Sequence, residues 1–254
     1  MNRQIVQWIE SKVKQASEAQ EQPLWETPLV AFAAASDPLF GEMKKWVHSA
    51  HQLPQDLLPG AQSVITYFIP FHPTIPKSNR QGRLASRQWG QTYILTNQLI
   101  GQLNDDLTHK LSEAGYQTAY ASATHNFDES TLMSNWSHRH VAYIAGLGNF
   151  GLNNMLITDK GCCGRIGTLV TTAPLTPTVR TGNPTCLYRF NGSCGLCVDN
   201  CVNGSLKESS YNRHVCYDML LENAEALAAI GLADVCGKCT VGLPCSLANP
   251  MKRS

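Results

Sequence analysis

Charge of either sign is scarce and balanced. Of the 254 residues only 15% are charged, and 20 basic residues face 19 acidic ones, for a formal net charge of +1. That balance excludes a bulk field for gripping nucleic acid and leaves only local patches. Long apolar runs are also missing, and none approaches the ~20 residues of a membrane helix. The start, Met1-Asn-Arg-Gln-Ile-Val-Gln-Trp8, has neither the apolar core nor the small-residue cleavage site of a secretory signal. These absences predict a cytoplasmic protein with no membrane partner. There are no internal repeats and no low-complexity tracts, and 43% hydrophobic residues are enough for a sizeable core in one or two domains.

Cysteine is what the chain has in excess. Eight of its ten cysteines lie between Cys186 and Cys245. In a cytoplasmic protein such a concentration signals metal or redox chemistry rather than disulfides. Eight thiols can fill two tetrathiolate sites.

Ahead of that module, Ile5, Trp8, Ile9 and Val13 space out a helix over residues 2–18. Residues 29–35 read as a buried strand. Ser36-Asp37-Pro38 starts a helix through Trp46 to about His51, and residues 63–71 are the clearest strand. Residues 72–90 form a long polar loop carrying Arg80, Arg83 and Arg87, either a solvated connection or an active-site lid or anion clamp. Leucines at 95, 99, 103, 107 and 111 predict a long helix ending near Gly115. His138-Arg139-His140 suggests metal or catalysis at first sight, though most histidines serve neither. Residues 141–145 read as a strand leading into Gly146-Leu-Gly148-Asn-Phe-Gly151, and residues 165–172 as another strand. Pro174, Pro177, Gly182 and Pro184 mark a linker. The division is an α/β domain over residues 1–180 and a cysteine-rich module over residues 181–254. The module has few aliphatic residues, so metal sites must hold it together.

Spacing separates the candidate metals. Cys194-Gly-Leu-Cys197-Val-Asp-Asn-Cys201 has the x2, x3 spacing that ends the bacterial ferredoxin run. Zinc sites show separated pairs, of which Cys236-Gly-Lys-Cys239 would be one, but three closely spaced cysteines are hard to use at one tetrahedral ion. Iron–sulfur is favoured. Three departures stand out: Asn191 occupies the run's first position, Val202 replaces the following proline, and five residues separate Cys239 from Cys245. The glycine loop also matches the dinucleotide fingerprint. That motif requires a helix after it and an acid about 20 positions on, where Thr171 and Thr172 stand. A tight packing turn is the other reading.

The stretch from Asn191 to Leu206, then Cys216-Tyr-Asp-Met-Leu, then Val-Cys236-Gly-Lys-Cys239 and Cys245, resembles the two-cluster module of the epoxyqueuosine reductases, relatives of the reductive dehalogenases. Ala145-Gly-Leu-Gly-Asn-Phe-Gly-Leu-Asn153 resembles that family's AGLGxxGxN loop, and the likeness runs over roughly residues 30–250. It implies an α+β fold: an α/β cobalamin-binding, nitroreductase-like domain, then a ferredoxin-like module with two 4Fe–4S clusters. It also implies a crossed ligand pattern. Cys194, Cys197 and Cys245 share one cluster, with Cys186 supplying the ligand missing at Asn191. Cys201, Cys216, Cys236 and Cys239 share the other, and Cys162 and Cys163 remain free thiols. A cobalamin is implied against Gly146, Leu147, Gly148, Gly151 and Asn153.

The function so implied is an iron–sulfur oxidoreductase that reduces a bound cobalamin for a reductive reaction on an unidentified substrate. Its partners would be an electron donor such as a ferredoxin or flavodoxin, and a small molecule or corrinoid. An electron-transfer, corrinoid-reducing or corrinoid-carrying protein without its own substrate is the second class, and a zinc-stapled binding module the third. The family's proton-donating aspartate is not carried over: Leu132 occupies the matching position and Asp128 lies four residues away. The helical-repeat region that helps those enzymes hold tRNA has no counterpart after Cys245, which counts against tRNA as partner.

Overall fold

In the computed structural model, which describes residues 1–252, the apolar stripe at the start forms α1 (Asn2–Glu18) and buries Ile5, Ile9 and Val13. β1 (Leu29–Ala34), α2 (Leu39–Trp46) and the one-turn α3 (Pro54–Leu57) follow. β2 (Ser63–Pro70) is buried along its whole length. The polar stretch after it is not all loop, because Pro73-Thr-Ile-Pro sets up α4 (Thr74–Ser78), which buries Ile75 and Pro76. The leucine helix is α5 (Arg87–Glu113), with Leu99, Leu103, Leu107 and Leu111 buried. Its first turn is capped by Ser86, whose hydroxyl accepts from the Trp89 amide at 3.1 Å.

Short elements come next: β3 (Thr118–Ala119), the paired β4 (Phe127–Asp128) and β5 (Met133–Ser134), and α6 (His138–Ile144). β6 (Gly148–Phe150) and β7 (Leu156–Thr158) form a small hairpin, and β8 (Gly164–Thr171) closes the first part of the chain. The cysteine-rich part holds α7 (Leu187–Asn191), α8 (Leu196–Asp199) and α9 (Arg213–Ala226).

The main sheet has the order β1-β2-β8-β3, and every pairing in it is antiparallel. The fold is therefore mixed α+β. The parallel βαβ units expected of an α/β domain are replaced by antiparallel pairing of β1 with β2 across a connection that carries α2 and α3, and by long-range closure by β8. Period-two alternation along β2 and β8 separates the two cores. Ile65, Tyr67 and Leu169 face α1 and α5, while Val64, Phe68 and Val170 face α2 and α6.

Residues 141–144 are the end of α6, with Ala145 as its C-cap, and not strand. Val141 and Ile144 bury one helical turn apart beside Trp136, and a five-residue apolar run does not by itself distinguish the two periods. The glycine loop consequently runs helix–loop–strand, the reverse of the dinucleotide fingerprint. A third core joins Leu152, Ile157, Cys162, Cys186, Cys197, Leu206 and Leu243, so the hairpin and the cysteine-rich part share one apolar interior. No helix among the described residues is long and apolar enough to cross a membrane.

Candidate metal centres

The eight cysteines of the last quarter come from separate local structures. Cys186 is the N-cap of α7, Cys197 lies within α8, and Cys216 lies in the first turn of α9. Cys239 sits in a 3-10 turn, Lys238–Thr240, which begins after Gly237 at φ +71°. Gly237 takes a left-handed conformation, and a Cβ there would overlap the Trp89 ring of α5. The turn is thus pressed onto the main domain by a residue that only glycine can be.

In space the thiols fall into two neighbourhoods. Cys186, Cys194, Cys197 and Cys245 all line one cavity of about 20 Å³, whose remaining walls are Leu152, Asn153, Ile157, Leu187, Tyr188, Leu243, Pro244 and Pro250. Cys197 lies in the electrostatic field of Cys245, Cys186 and Cys194. Cys239 lies in that of Cys236, Cys216, Cys201 and, most weakly, Cys197. Cys236 in turn feels Cys216 and Cys201. Cys201 parts from Cys197 because α8 stops at Asp199 and the chain turns away before a second helical turn could align them. Among the described residues no three His, Cys, Asp or Glu side chains converge on a single-ion site.

Four of these thiols, Cys197, Cys236, Cys239 and Cys245, are held above the ordinary thiol value. Burial raises Cys197 to about 11, with the three neighbouring thiols adding to it. Burial likewise raises Cys239 and Cys236. Cys245 is raised first by its hydrogen bond with Cys162 and then by burial. Cys201 is the exception. Burial pushes it up, but the Ser205 hydroxyl at 3.3 Å and the Leu206 amide at 3.3 Å more than offset that and leave it lowered. Such N–H···S and O–H···S contacts stabilise a ligating sulfur.

Lys238, between two of the cysteines, is only 3% exposed. Its ammonium group donates to the carbonyls of Asn79 and Gln81, both at 2.8 Å. No carboxylate pairs with it among the described residues. A buried cation without an anion is costly, and anionic sulfur beside it relieves that cost.

The glycine loop serves this site from the other side. A Cβ on Gly148 would overlap the Ile157 carbonyl, and one on Gly151 would meet Asn153 Oδ1 at 2.7 Å. Gly146 has φ +85°. The hairpin is therefore folded tightly on itself, and the places a Cβ would fill are taken by this chain. Leu147 is buried in the core beneath α6. Asn153 is 4% exposed and donates to the Cys239 carbonyl at 2.9 Å. Leu152, Asn153 and Ile157 are walls of the four-thiol cavity. The loop thus closes the thiol site, a role that the glycine pattern alone did not signal. As an open cradle for a flat macrocycle its glycines do not fit.

Other candidates have local duties. Asp128 is exposed, and its Oδ1 accepts from Ser130 and Thr131, amides and hydroxyls alike, at 2.6 to 3.1 Å. The Ser130 hydroxyl, more than any other partner, holds it down at about 2. His138 bridges Thr168 Oγ1 and the Ser122 carbonyl, both at 2.8 Å, and His140 meets the Ser137 hydroxyl at 2.8 Å. Burial lowers both histidines to about 4, so each is neutral. Cys162 and Cys163 are buried. The Cys163 thiol donates to the Thr240 carbonyl at 3.1 Å, and the Cys162 and Cys163 amides donate to the backbone of Cys245 and Ser246.

A mixed α+β domain stitched to a cysteine-rich segment with two four-thiol neighbourhoods defines the class of protein. The fold is that of the epoxyqueuosine reductases. The enzyme from Bacillus subtilis, seen with its aspartate catalytic loop swung out of the active site, superposes with TM-score 0.57 at 19% identity. The enzyme from Streptococcus thermophilus gives 0.57 at 18%, and an epoxyqueuosine reductase bound to an epoxyqueuosine-modified tRNA-Tyr stem loop gives 0.57 at 20%. In each case 95% of this chain matches and spans 66% of the other. No protein-family model and no curated protein matches the sequence.

Proposed function

We propose that the chain is an iron–sulfur oxidoreductase of the epoxyqueuosine reductase kind, carrying two 4Fe–4S clusters. The observation that carries this reading is the ring of four thiols, Cys186, Cys194, Cys197 and Cys245, around one largely apolar cavity. Cys201, Cys216, Cys236 and Cys239 form the second set beside it. When bound, such clusters supply one-electron transfer at potentials set by their surroundings. The chain's own residues hold the thiolates, exclude water with Leu152, Ile157 and Leu243, place the Lys238 cation, and donate to Cys201 from Leu206 and Ser205. The cytoplasmic location and the division at residue 180 belong to the same proposal.

The finer reading adds a cobalamin as the group the clusters reduce, for a reductive reaction on a small molecule. Its support is the likeness of fold and sequence. The glycine loop offers it no open cradle, and no step is assigned to it. Two observations favour the electron-transfer form of the alternative: the closed hairpin, and the low pKa that denies Asp128 a proton to donate.

Anaerobic reconstitution with iron and sulfide should give about eight irons per chain and visible absorption. Cys201→Ala should remove the same cluster signal as Cys236→Ala and spare the one lost with Cys194→Ala. Loss of a single shared signal in Cys194→Ala and Cys201→Ala would overturn the crossed assignment. A colourless protein holding zinc would overturn the iron–sulfur reading altogether. Co-elution of hydroxocobalamin with the reconstituted protein separates the reductase from the electron-transfer alternative.

A further inference from the structure

Between Asp56 and Asp105 the sequence contains no acidic residue, while Lys77, Arg80, Arg83 and Arg87 fall inside that stretch. All four are exposed. Arg83 is paired with Glu222. Among the described residues Lys77, Arg80 and Arg87 have no carboxylate partner. Two of the four, Lys77 and Arg80, line one open groove of about 830 Å³ together with Thr74, Ser78 and Gln81. In a chain of net charge +1 such a patch is a local feature, not a bulk field.

The groove's own segment is hydrogen-bonded to the chain around Cys236. Asn79, fully buried, donates from its side chain to the Cys236 carbonyl at 2.8 Å and accepts at its own carbonyl from Lys238 at 2.8 Å. Gln81, a groove residue, accepts from the same ammonium group at 2.8 Å. A Cβ on Gly242 would lie 3.0 Å from Arg80 Nε, so the groove's arginine rests on the segment after Cys239. Asn79, between the groove residues Ser78 and Arg80 in the chain, is the link from this segment to the Cys236 backbone.

We propose that this groove is the docking surface for a small acidic protein electron carrier, which passes one electron at a time to the cluster held by Cys201, Cys216, Cys236 and Cys239. The inference rests on the two-cluster reading. In the step, the reduced carrier loses one electron and the cluster gains it, with no bond made or broken. Redox encounters use small interfaces, and opposite charge sets their on-rate more than their affinity. A basic groove whose segment is bonded to the chain around Cys236 meets both conditions. An RNA backbone would also seek positive charge, but nothing in an RNA requires the patch to lie against the second thiol group.

The test is anaerobic stopped-flow reduction of the reconstituted protein by reduced flavodoxin, an acidic carrier, read by bleaching of the cluster absorption. The second-order rate constant should fall steeply as salt is added. Lys77→Glu with Arg80→Glu should lower it at least about tenfold at low salt, with iron content and reduction by dithionite unchanged. If the reversal pair loses iron, Lys77→Gln with Arg80→Gln replaces it and should give a smaller fall in the same direction. A rate constant insensitive to salt and to either pair overturns the proposal, as does binding of an RNA stem loop at the groove in place of flavodoxin. Wild-type protein without iron would sink the cluster reading. Docking is then read separately by titrating oxidised flavodoxin at low salt, and failure to bind there overturns it.

Discussion

Asp128 spends its carboxylate on its own loop. Four donors from Ser130 and Thr131 converge on one oxygen, so the ionised form is favoured and the proton leaves at about pH 2. Because the folded value lies below the ordinary carboxylate range, the loop's stabilisation is complete above pH ~4 and disappears as pH falls through 2. Carboxyl NMR titration should show a midpoint near 2, and a midpoint of about 4 or above would free Asp128 to act as an acid. Lys238 shows the opposite case, a side chain whose chemistry comes from position. Nothing in Cys-Gly-Lys-Cys says that the lysine is buried. That follows from Asn79 and Gln81, more than 150 positions earlier in the chain, presenting carbonyls to it. The eight cysteines stood out as a candidate site because residue type and spacing are local, whereas Lys238 and Asn79 did not, because their places arise from distant contacts.

The β6–β7 hairpin is the element on which the two halves of the site meet. Its outer glycine loop folds against Ile157, and its tip carries Leu152 and Asn153 into the thiol cavity. Gly148→Ala should therefore cost about 1–3 kcal/mol through overpacking and lower the iron retained after reconstitution. A thermal midpoint and iron count equal to wild type would show that the hairpin opens without penalty. The same packing confounds any use of Gly148 to probe cobalamin, since enlarging it disturbs the thiol site first. The long elements were legible: α1, α5, β2 and β8 are long enough for a period of 3.6 or 2 to declare itself. The hairpin strands, three residues each, and α6, seven residues, were not, because burial against the sheet decides their geometry.

Across the whole molecule, the cysteine-rich segment is tied to the sheet domain from three sides. Asn153 reaches Cys239, Asn79 reaches Cys236, and the Cys162–Cys163 turn runs along Cys245 and Ser246. Metal binding should therefore stabilise the whole chain, not its tail alone. Chelation of reconstituted iron should move a single cooperative unfolding transition to lower temperature. Two separated transitions would show instead that residues 1–180 and 181–254 fold independently.

The sequence by itself determined the cysteine inventory and its spacing, the long helices and strands, and the likeness to the epoxyqueuosine reductases. Each of these is carried by residue type, spacing or period, which are local properties. Only the tertiary structure decided that the main sheet is antiparallel and that the glycine loop closes on itself. It alone placed a buried lysine beside the second thiol group and brought Lys77 and Arg80 into one groove next to it. These depend on contacts between residues far apart in the chain, and no spacing along the chain records them.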